Sequence, residues 1–526
     1  MVEGNGEVRE LPEEWCWVQH KDIAQINPKL PLNELADNLI VSFLPMAAVE
    51  EKSGRYRLSE IREYGKVKKG YTPFINGDLI FAKITPCMEN GKVAVLENLQ
   101  NGMGCGSTEF HVSRLTSLTS RKYLFYYLVQ ERFRRDARQH MTGSAGQLRV
   151  SKSYFEEVQI PLAPLFEQKR IVEKIEELFS DVDQGVESLK TAQKQLKVYR
   201  QAVLKWAFEG KLTEAWRSQQ PTLQTGEALL AQIKAERENR YQQKLAEWEE
   251  KVGEWGAIGK VGKKPSKPQQ PKELTPLAEA DISELPQFPN DWRLEKLGNL
   301  SELVGGVTKG RDLKGQETIS LPYLRVANVQ DGYLDLSIIK YINVLPTELD
   351  KYQLLAGDVL YTEGGDKDKL GRGTVWKEEI KNCIHQNHVF RARLLSISII
   401  PSFIAYYSQT RIAKDYFFKR AKQTVNLASI NMTILSNFPI PIPSYREQEQ
   451  IVEEIESRLS ICDQLEATIT ENLQKAEALR QSILKQAFEG KLVPQDPNDE
   501  PAEKLLERIR AERQEKEPQK TSKPLR

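Results

Sequence analysis

Arg200-Gln201, Leu204-Lys205 and Ala207-Phe208-Glu209-Gly210-Lys211-Leu212 return as Arg480-Gln481, Leu484-Lys485 and Ala487-Phe488-Glu489-Gly490-Lys491-Leu492, so Ala207 and Ala487 stand 280 residues apart. The same offset places Glu167-Gln168 on Glu447-Gln448, Ile171-Val172-Glu173 on Ile451-Val452-Glu453, and Ile160-Pro161 on Ile440-Pro441. Gly77-Asp78 falls on Gly357-Asp358. Weaker echoes pair Pro12 and Trp15 with Pro289 and Trp292, and Ala235-Glu236-Arg237 with Ala511-Glu512-Arg513. The chain is therefore ordered A–B–A′–B′ over nearly its whole length. Each unit is domain-sized, which excludes a short solenoid period.

The B segments read as helices. Ile175, Val182, Leu189, Leu196 and Val203 recur every seven residues, and Ile171, Leu178, Ala192, Tyr199 and Trp206 form a second row. That is an a/d seam sustained over about five heptads. In B′ the first row persists as Ile455, Cys462, Ile469, Ala476 and Ile483, while Arg458, Asn472 and Gln486 interrupt the second. Pro161, Pro164, Pro441 and Pro443 block helix upstream of each start. Ser444-Tyr445-Arg446-Glu447 reads as a capping box, and Gly210 and Gly490 as C-terminal caps. Further helices are expected over 227–250 and 502–515. A seam of this kind needs a partner, and the economical one is the other copy in the same chain.

The A segments mix strands and helices, so the fold class is α+β: two mixed domains joined by two long coiled-coil regions in a pseudo-twofold repeat. Strands are expected at 79–84 and 93–96, with counterparts at 359–362 and 374–376, and helices over 123–138 and 401–420. The boundaries read as a first mixed domain 1–160, a helical region 161–252, a linker 253–284, a second mixed domain 285–440 and a helical region 441–526. The Lys/Gly/Pro-rich run 253–276 carries the linker reading. Here the copies diverge: Lys83-Ile84-Thr85-Pro86-Cys87-Met88-Glu89-Asn90-Gly91-Lys92 lies opposite the quite different run from Glu363 to Gly373. Like helices suit identical partners; unlike domains suit two different targets. A helix from Leu165 to Phe208 spans ~66 Å at ~1.5 Å per residue, and DNA advances ~34 Å per turn.

Composition excludes more than it assigns. Lys plus Arg (75) and Asp plus Glu (74) nearly cancel, so any basic surface is local. Five scattered cysteines without a C-x-x-C pair fit a reducing cytoplasm rather than a disulfide framework or thiolate zinc site. The acidic start, Met1 to Trp17, does not read as a signal peptide, and no apolar run is long enough to span a bilayer. No phosphate-binding G-x-x-x-x-G-K-[ST] loop is present, and Asn27-Pro28-Lys29 lacks the second proline and aromatic of an adenine methyltransferase motif. The glycine-rich run from Gly364 to Gly373 fits no dinucleotide fingerprint and reads equally as a target-facing turn or a plain loop. Cys383, His385 and His388 lack a fourth metal ligand nearby.

Basic clusters do recur in both halves. Lys66, Lys68 and Lys69 flank Tyr71; Arg132, Arg134, Arg135 and Arg138 crowd one expected helix; Lys414, Lys419, Arg420 and Lys422 crowd its counterpart. Such clusters hold phosphates, or else form solvated helix faces. Asn90, Gln147, Asn387 and Asn426 carry side chains able to read base edges. From the diverging loops, Lys83, Thr85, Lys92, Lys367, Lys369 and Arg372 join the candidate DNA contacts.

The 207–212 repeat, the run from Pro161 to Ile175 with its repeat from Pro441 to Ile455, and the loop 82–92 together resemble the specificity subunit of type I restriction–modification enzymes over essentially the full chain. The resemblance implies two target-recognition domains, each reading half of a split, asymmetric site in the major groove. It also implies two helical regions packed antiparallel as a ruler. The implied partners are double-stranded DNA, two methylation subunits and optionally two restriction subunits. S-adenosylmethionine, ATP and Mg then belong to those partners; the expectation for this chain is no cofactor, no metal and no catalytic residue. Two other readings stay open. One is a fragment of a fused, type II-like restriction–modification enzyme, against which the missing catalytic motifs count. The other is a coiled-coil scaffold without a DNA role, which leaves the two unlike domains unexplained.

Overall fold

The computed structural model describes residues 10–29, 35–144, 146–262, 264–268, 270, 273–365, 370–423 and 428–516. The chain forms two compact units, one of Met1–Thr191 with Ile469–Arg526 and one of Ala192–Thr468. Their borders cut through two long helices, Leu165–Phe208 and Tyr445–Phe488. Each unit therefore holds one mixed domain together with part of both helices.

In the first unit the domain's two ends meet, Cys16–Gln19 pairing antiparallel with Gln159–Leu162. One four-stranded sheet runs in the order Ala24–Ile26, Phe110–Leu115, Leu79–Ala82, Val93–Val95. A second runs Glu60–Glu63, Ile40–Leu44, Met103–Gly106, Thr72–Ile75, its middle pair parallel. The strand Leu79–Ala82 is apolar at every position because both faces are covered. Leu79 and Phe81 face the core that contains Trp15, Tyr123 and Phe155, while Ile80 and Ala82 face a second core with Leu44, Phe74 and Val112. Alternation along a strand sends neighbours to opposite faces, so a continuous apolar run is what a strand between two cores requires.

The second unit repeats this plan. Arg293–Lys296 pairs with Pro439–Ile442. The strands Ser301–Gly305, Val389–Leu394, Val359–Thr362 and Gly373–Val375 form the four-stranded sheet. Val359 and Tyr361 face one core and Leu360 the other.

Within the first unit Ile171 and Ile175 share a core with Ile483, Leu484, Ala487 and Phe488. Within the second, Val203, Leu204, Ala207 and Phe208 share one with Ile451 and Ile455. In each unit the start of one long helix thus meets the end of the other, the pairing that the seam requires in the antiparallel sense that the family resemblance implies. Arg200 adds ion pairs to Asp463 (2.6 Å) and Glu466 (3.0 Å), and Arg480 pairs with Asp183. Of the first row, Ile175, Val203, Ile455, Cys462, Ile469 and Ile483 are buried, whereas Val182, Leu189 and Leu196 are half-buried. A two-helix seam covers one side only, so its middle stays partly wet. In the second row Ile171 is buried and Leu178 packs against the same core, but Tyr199 and Trp206 depart from expectation and are exposed.

Three further expectations are corrected. The helical stretch at 123–138 is two helices, Arg121–Val129 and Glu131–Gln139, because Gln130 leaves helical geometry at φ −53°, ψ 138°. Likewise 401–420 divides into Pro401–Ser408 and Arg411–Arg420, the second capped by the Thr410 hydroxyl accepting from the Ala413 N–H. Ser444 does cap its helix by accepting from the Glu447 N–H (3.1 Å). The Glu447 carboxylate, however, does not reach back as a capping box requires. It accepts instead from the Trp292 indole (3.0 Å), the Thr213 hydroxyl (2.8 Å) and Arg217. Buried as it is, that carboxylate is held by whatever donors converge on it. Glu167 repeats the arrangement with Trp15 (2.9 Å) and Gln495 (2.7 Å), so the segment after each long helix is latched to the start of a domain.

The 227–250 helix extends over Gly226–Ala257, with Leu229 and Ile233 buried and Trp248 donating to the Pro265 carbonyl of the linker run (3.0 Å). Its counterpart is Ala502–Lys516, buried through Ala502, Leu505 and Ile509. Among the described residues no helix is long and apolar enough to cross a membrane.

Candidate nucleic-acid interface

The diverging loops occupy corresponding places in the two units. In the first, the loop after Ala82 turns back through a buried Met88 to the strand Val93–Val95. A hairpin, Thr142–Ser144 with Gln147–Arg149, docks on it. The Thr85 N–H donates to the Leu148 carbonyl (3.0 Å), the Thr85 hydroxyl accepts from the Leu148 N–H (3.2 Å), and the Val150 N–H donates to the Lys83 carbonyl (2.8 Å). In the second, Gly364–Gly365 pairs with Ala428–Ser429, which pairs with Lys422–Gln423. The Ile430 N–H donates to the Glu363 carbonyl (2.8 Å), the same bond 280 residues on. Loop and hairpin thus form one edge in each unit.

Lys83, Thr85 and Gln147 come together on the first edge. Asn90 and Lys92 lie on the loop but are tied down, Asn90 donating to Glu51 (2.7 Å) and Lys92 to the Met46 carbonyl (3.2 Å). On the second edge stand Arg372, donating to Gln330 (2.6 Å), and Asn387, in the turn that abuts Glu363. Lys367, Lys369 and Asn426 lie outside the described residues. The glycine-rich run is a strand at Gly364–Gly365 and closes at a buried Leu370 and a left-handed Gly371 (φ +59°).

Most charges on the basic helices are paired with carboxylates, and on the first helix Arg134 and Arg138 reach the loop itself. Arg134 is turned inward, 8% exposed, donating to the Val129 carbonyl (3.1 Å) and to the Glu89 carbonyl, where it braces the loop. Burial lowers its proton affinity. Arg135 pairs with Glu131 (3.0 Å), Arg138 with Glu89, Lys414 with Asp331 (2.8 Å), Lys419 with Glu284 (3.2 Å) and Arg420 with Asp281 (2.6 Å). Lys66 pairs with Glu63 (3.1 Å) and Lys68 with Asp37 (2.6 Å) beside the other sheet, and Lys69 is exposed there. Density of charge along a sequence does not reveal carboxylates brought up from elsewhere.

Residues not singled out in the sequence complete the edges. Arg149 forks onto Glu109 (Nε–Oε2 and Nη2–Oε1, both 2.9 Å), and that hydrogen-bonded guanidinium, with Lys83 nearby, lowers the Glu109 carboxyl's proton affinity. His388 Nδ1 lies 2.7 Å from Glu363 Oε2. Beneath the edges His111 and His385 are each pushed down to about 4 by burial, which keeps them neutral structural groups. Both domains also bury an aspartate that a half-buried arginine forks onto, Arg114 on Asp78 and Arg393 on Asp358 (each 2.7–2.8 Å). The repeated Gly-Asp pair was its sequence signal; the arginines had none. His385 bonds the Val389 carbonyl (2.6 Å) while His388 faces Glu363, and among the described residues no three His, Cys, Asp or Glu side chains gather as a metal site.

Comparison with known proteins places this geometry. The family model described as the type I restriction modification DNA specificity domain matches twice, over residues 12–197 and 289–475, more than half of the chain. The chain is similar to the EcoEI specificity subunit of Escherichia coli, 25% identical over 90% of this chain and 83% of that protein. It is 28% identical to the EcoAI specificity subunit of the same species, over 88% and 80%. Among solved structures it shares its fold with the HsdS subunit of Thermoanaerobacter tengcongensis (TM-score 0.53, 19% identity, 94% of this chain and 100% of that one). The fold also matches a chain from a study of complex assembly and conformational transition of the type I R-M system (TM-score 0.63, 18% identity, 92% and 100%). With a doubled family match falling on the doubled domain-and-helix unit, the chain belongs to the type I restriction modification DNA specificity family.

Proposed function

We propose that this chain sets the split recognition site of a type I restriction–modification complex, each loop-and-hairpin edge reading one half-site. The observation that carries the reading is that the two edges share backbone bonds, Lys83 and Val150 recurring 280 residues on at Glu363 and Ile430 and Glu109 recurring 279 on at His388, but differ in nearly every side chain. A common scaffold with different polar groups is what two unlike base sequences demand. The reading domains are assigned to 1–160 and 285–440, the helical frame to 161–252 and 441–526, and the linker to 253–284. The partners are double-stranded DNA and two methylation subunits, joined in the restricting form by two restriction subunits. Those subunits carry the S-adenosylmethionine, ATP and Mg chemistry in the cytoplasm. Fixed contacts come from the edge residues Lys83, Thr85, Gln147, Arg372 and Asn387 rather than from the helix arginines.

Mapping modified bases by long-read sequencing, with and without this gene beside its methylation subunit, tests the reading. One split motif carrying N6-methyladenine in each half is expected to vanish on deletion. An unchanged methylome in a strain expressing both subunits overturns it.

A further inference from the structure

The two edges hold corresponding positions with opposite hydrogen-bond polarity. In the first unit the Lys83 N–H donates to the Glu109 carbonyl (2.9 Å); in the second the Glu363 N–H donates to the His388 carbonyl (3.0 Å). Lys83 and Glu363 therefore correspond, as do Glu109 and His388. In the first unit the acid sits on the turn and is covered by Arg149, whose Nη1 also donates to the Gln147 carbonyl (3.2 Å), which leaves the ammonium of Lys83 and the remaining N–H groups of Arg149 as the edge's polar face. In the second the acid sits on the loop. Its Oε2 takes His388, and its Oε1 carries no hydrogen bond among the described residues. Asn387 Nδ2 lies 3.5 Å from His388 Nε2, a distance that makes at most a loose contact. Side-chain exposures of 51% for His388 and 29% for Glu363 leave the pair open at the surface. Ser429 stands where Arg149 stands in the first unit, so among the described residues no guanidinium covers the carboxylate.

We infer that Glu363, oriented by His388, is a specificity-determining acceptor of the second half-site, and that Lys83 with Arg149 forms the donor face for the first. The inference rests on the reading of the edges as DNA faces. In the major groove only cytosine N4 and adenine N6 present amino donors, and these are what a carboxylate oxygen accepts from. Guanine N7 and O6 are acceptors, matched by ammonium and guanidinium donors. The carboxylate also repels phosphate, so Glu363 gains little from backbone contact and is suited to a base edge. His388 acts as a positioning residue: by bonding one carboxylate oxygen it fixes the direction of the other.

The test uses the full chain assembled with its methylation subunits and a pool of duplexes randomised in both half-sites, the bound fraction being sequenced. Glu363→Gln keeps the shape but exchanges one acceptor for a donor. It is expected to change the preferred base at one position of one half-site by roughly ten-fold or more, the other half-site standing unchanged. His388→Asn is expected to relax the same position by less. Arg149→Ala is expected to relax a position in the opposite half-site. The inference is overturned if Glu363→Gln leaves every position as in the parent, or if affinity falls evenly across all sequences. A parent complex that selects no sequence overturns the DNA reading itself, a result distinct from the other two.

Discussion

Arg134 and Arg135 are neighbours in sequence with opposite roles in space. Arg134 spans from the Val129 carbonyl to the Glu89 carbonyl and packs beside Gly91; Arg135 projects into solvent with a 70% exposed side chain. Removing Arg134 leaves two carbonyls of the brace without their donor. Arg134→Ala is expected to destabilise the first domain by about 1–3 kcal/mol, and Arg135→Ala to leave stability nearly unchanged, since exposed i,i+4 pairs contribute little. Chemical denaturation of the two variants checks this, and equal losses would contradict the inward placement.

At the scale of elements, the stop at the end of each long helix is doubly specified. Gly210 and Gly490 take φ of +70° and +68°. A Cβ added to either would lie 2.4 Å from Pro289 Cγ or 2.2 Å from Pro12 Cγ. Each glycine therefore permits both the left-handed turn and the close approach of the segment that leads into a domain's buried tryptophan. Gly210→Ala or Gly490→Ala is expected to cost at least about 1–2 kcal/mol from backbone strain alone, the proline contact adding to it. Thermal unfolding of each variant measures the loss, and an unchanged midpoint would show that the turn is relaxed elsewhere.

For the molecule as a whole, both long helices run across the border between the two units, and under the proposed function their length sets the gap between the half-sites. Removing one heptad from each shortens the helical path by about 10 Å, or about three base pairs of duplex. The expected outcome is a recognition motif whose two halves are intact but separated by a gap about three bases shorter, read by mapping methylated sites. A motif with an unaltered gap would sink the ruler role of the helices.

The doubled plan was legible because it is written in residues that repeat at constant spacing: the heptads, the helix-ending glycines and the Glu-Gln pair at 167–168 and 447–448. Periodicity is local, so a linear reading recovers the long helices, whose ends at Phe208 and Phe488 are set by the glycines that follow shortly after. The break at Gln130 was not legible, since glutamine is neither a helix breaker nor a favoured cap, whereas Thr410, which caps the helix that follows it, was a local signal that the continuous helical pattern masked. The loops were legible as the places where the copies differ, and Lys83, Thr85 and Gln147 were found by their position in or near them. What only the tertiary structure decided is which charges remain available. Arg149 meets Glu109 across 40 residues, Lys414 meets Asp331 across 83, and Arg134 turns inward. A charge's environment depends on neighbours distant in the chain, and no spacing along the sequence carries that information.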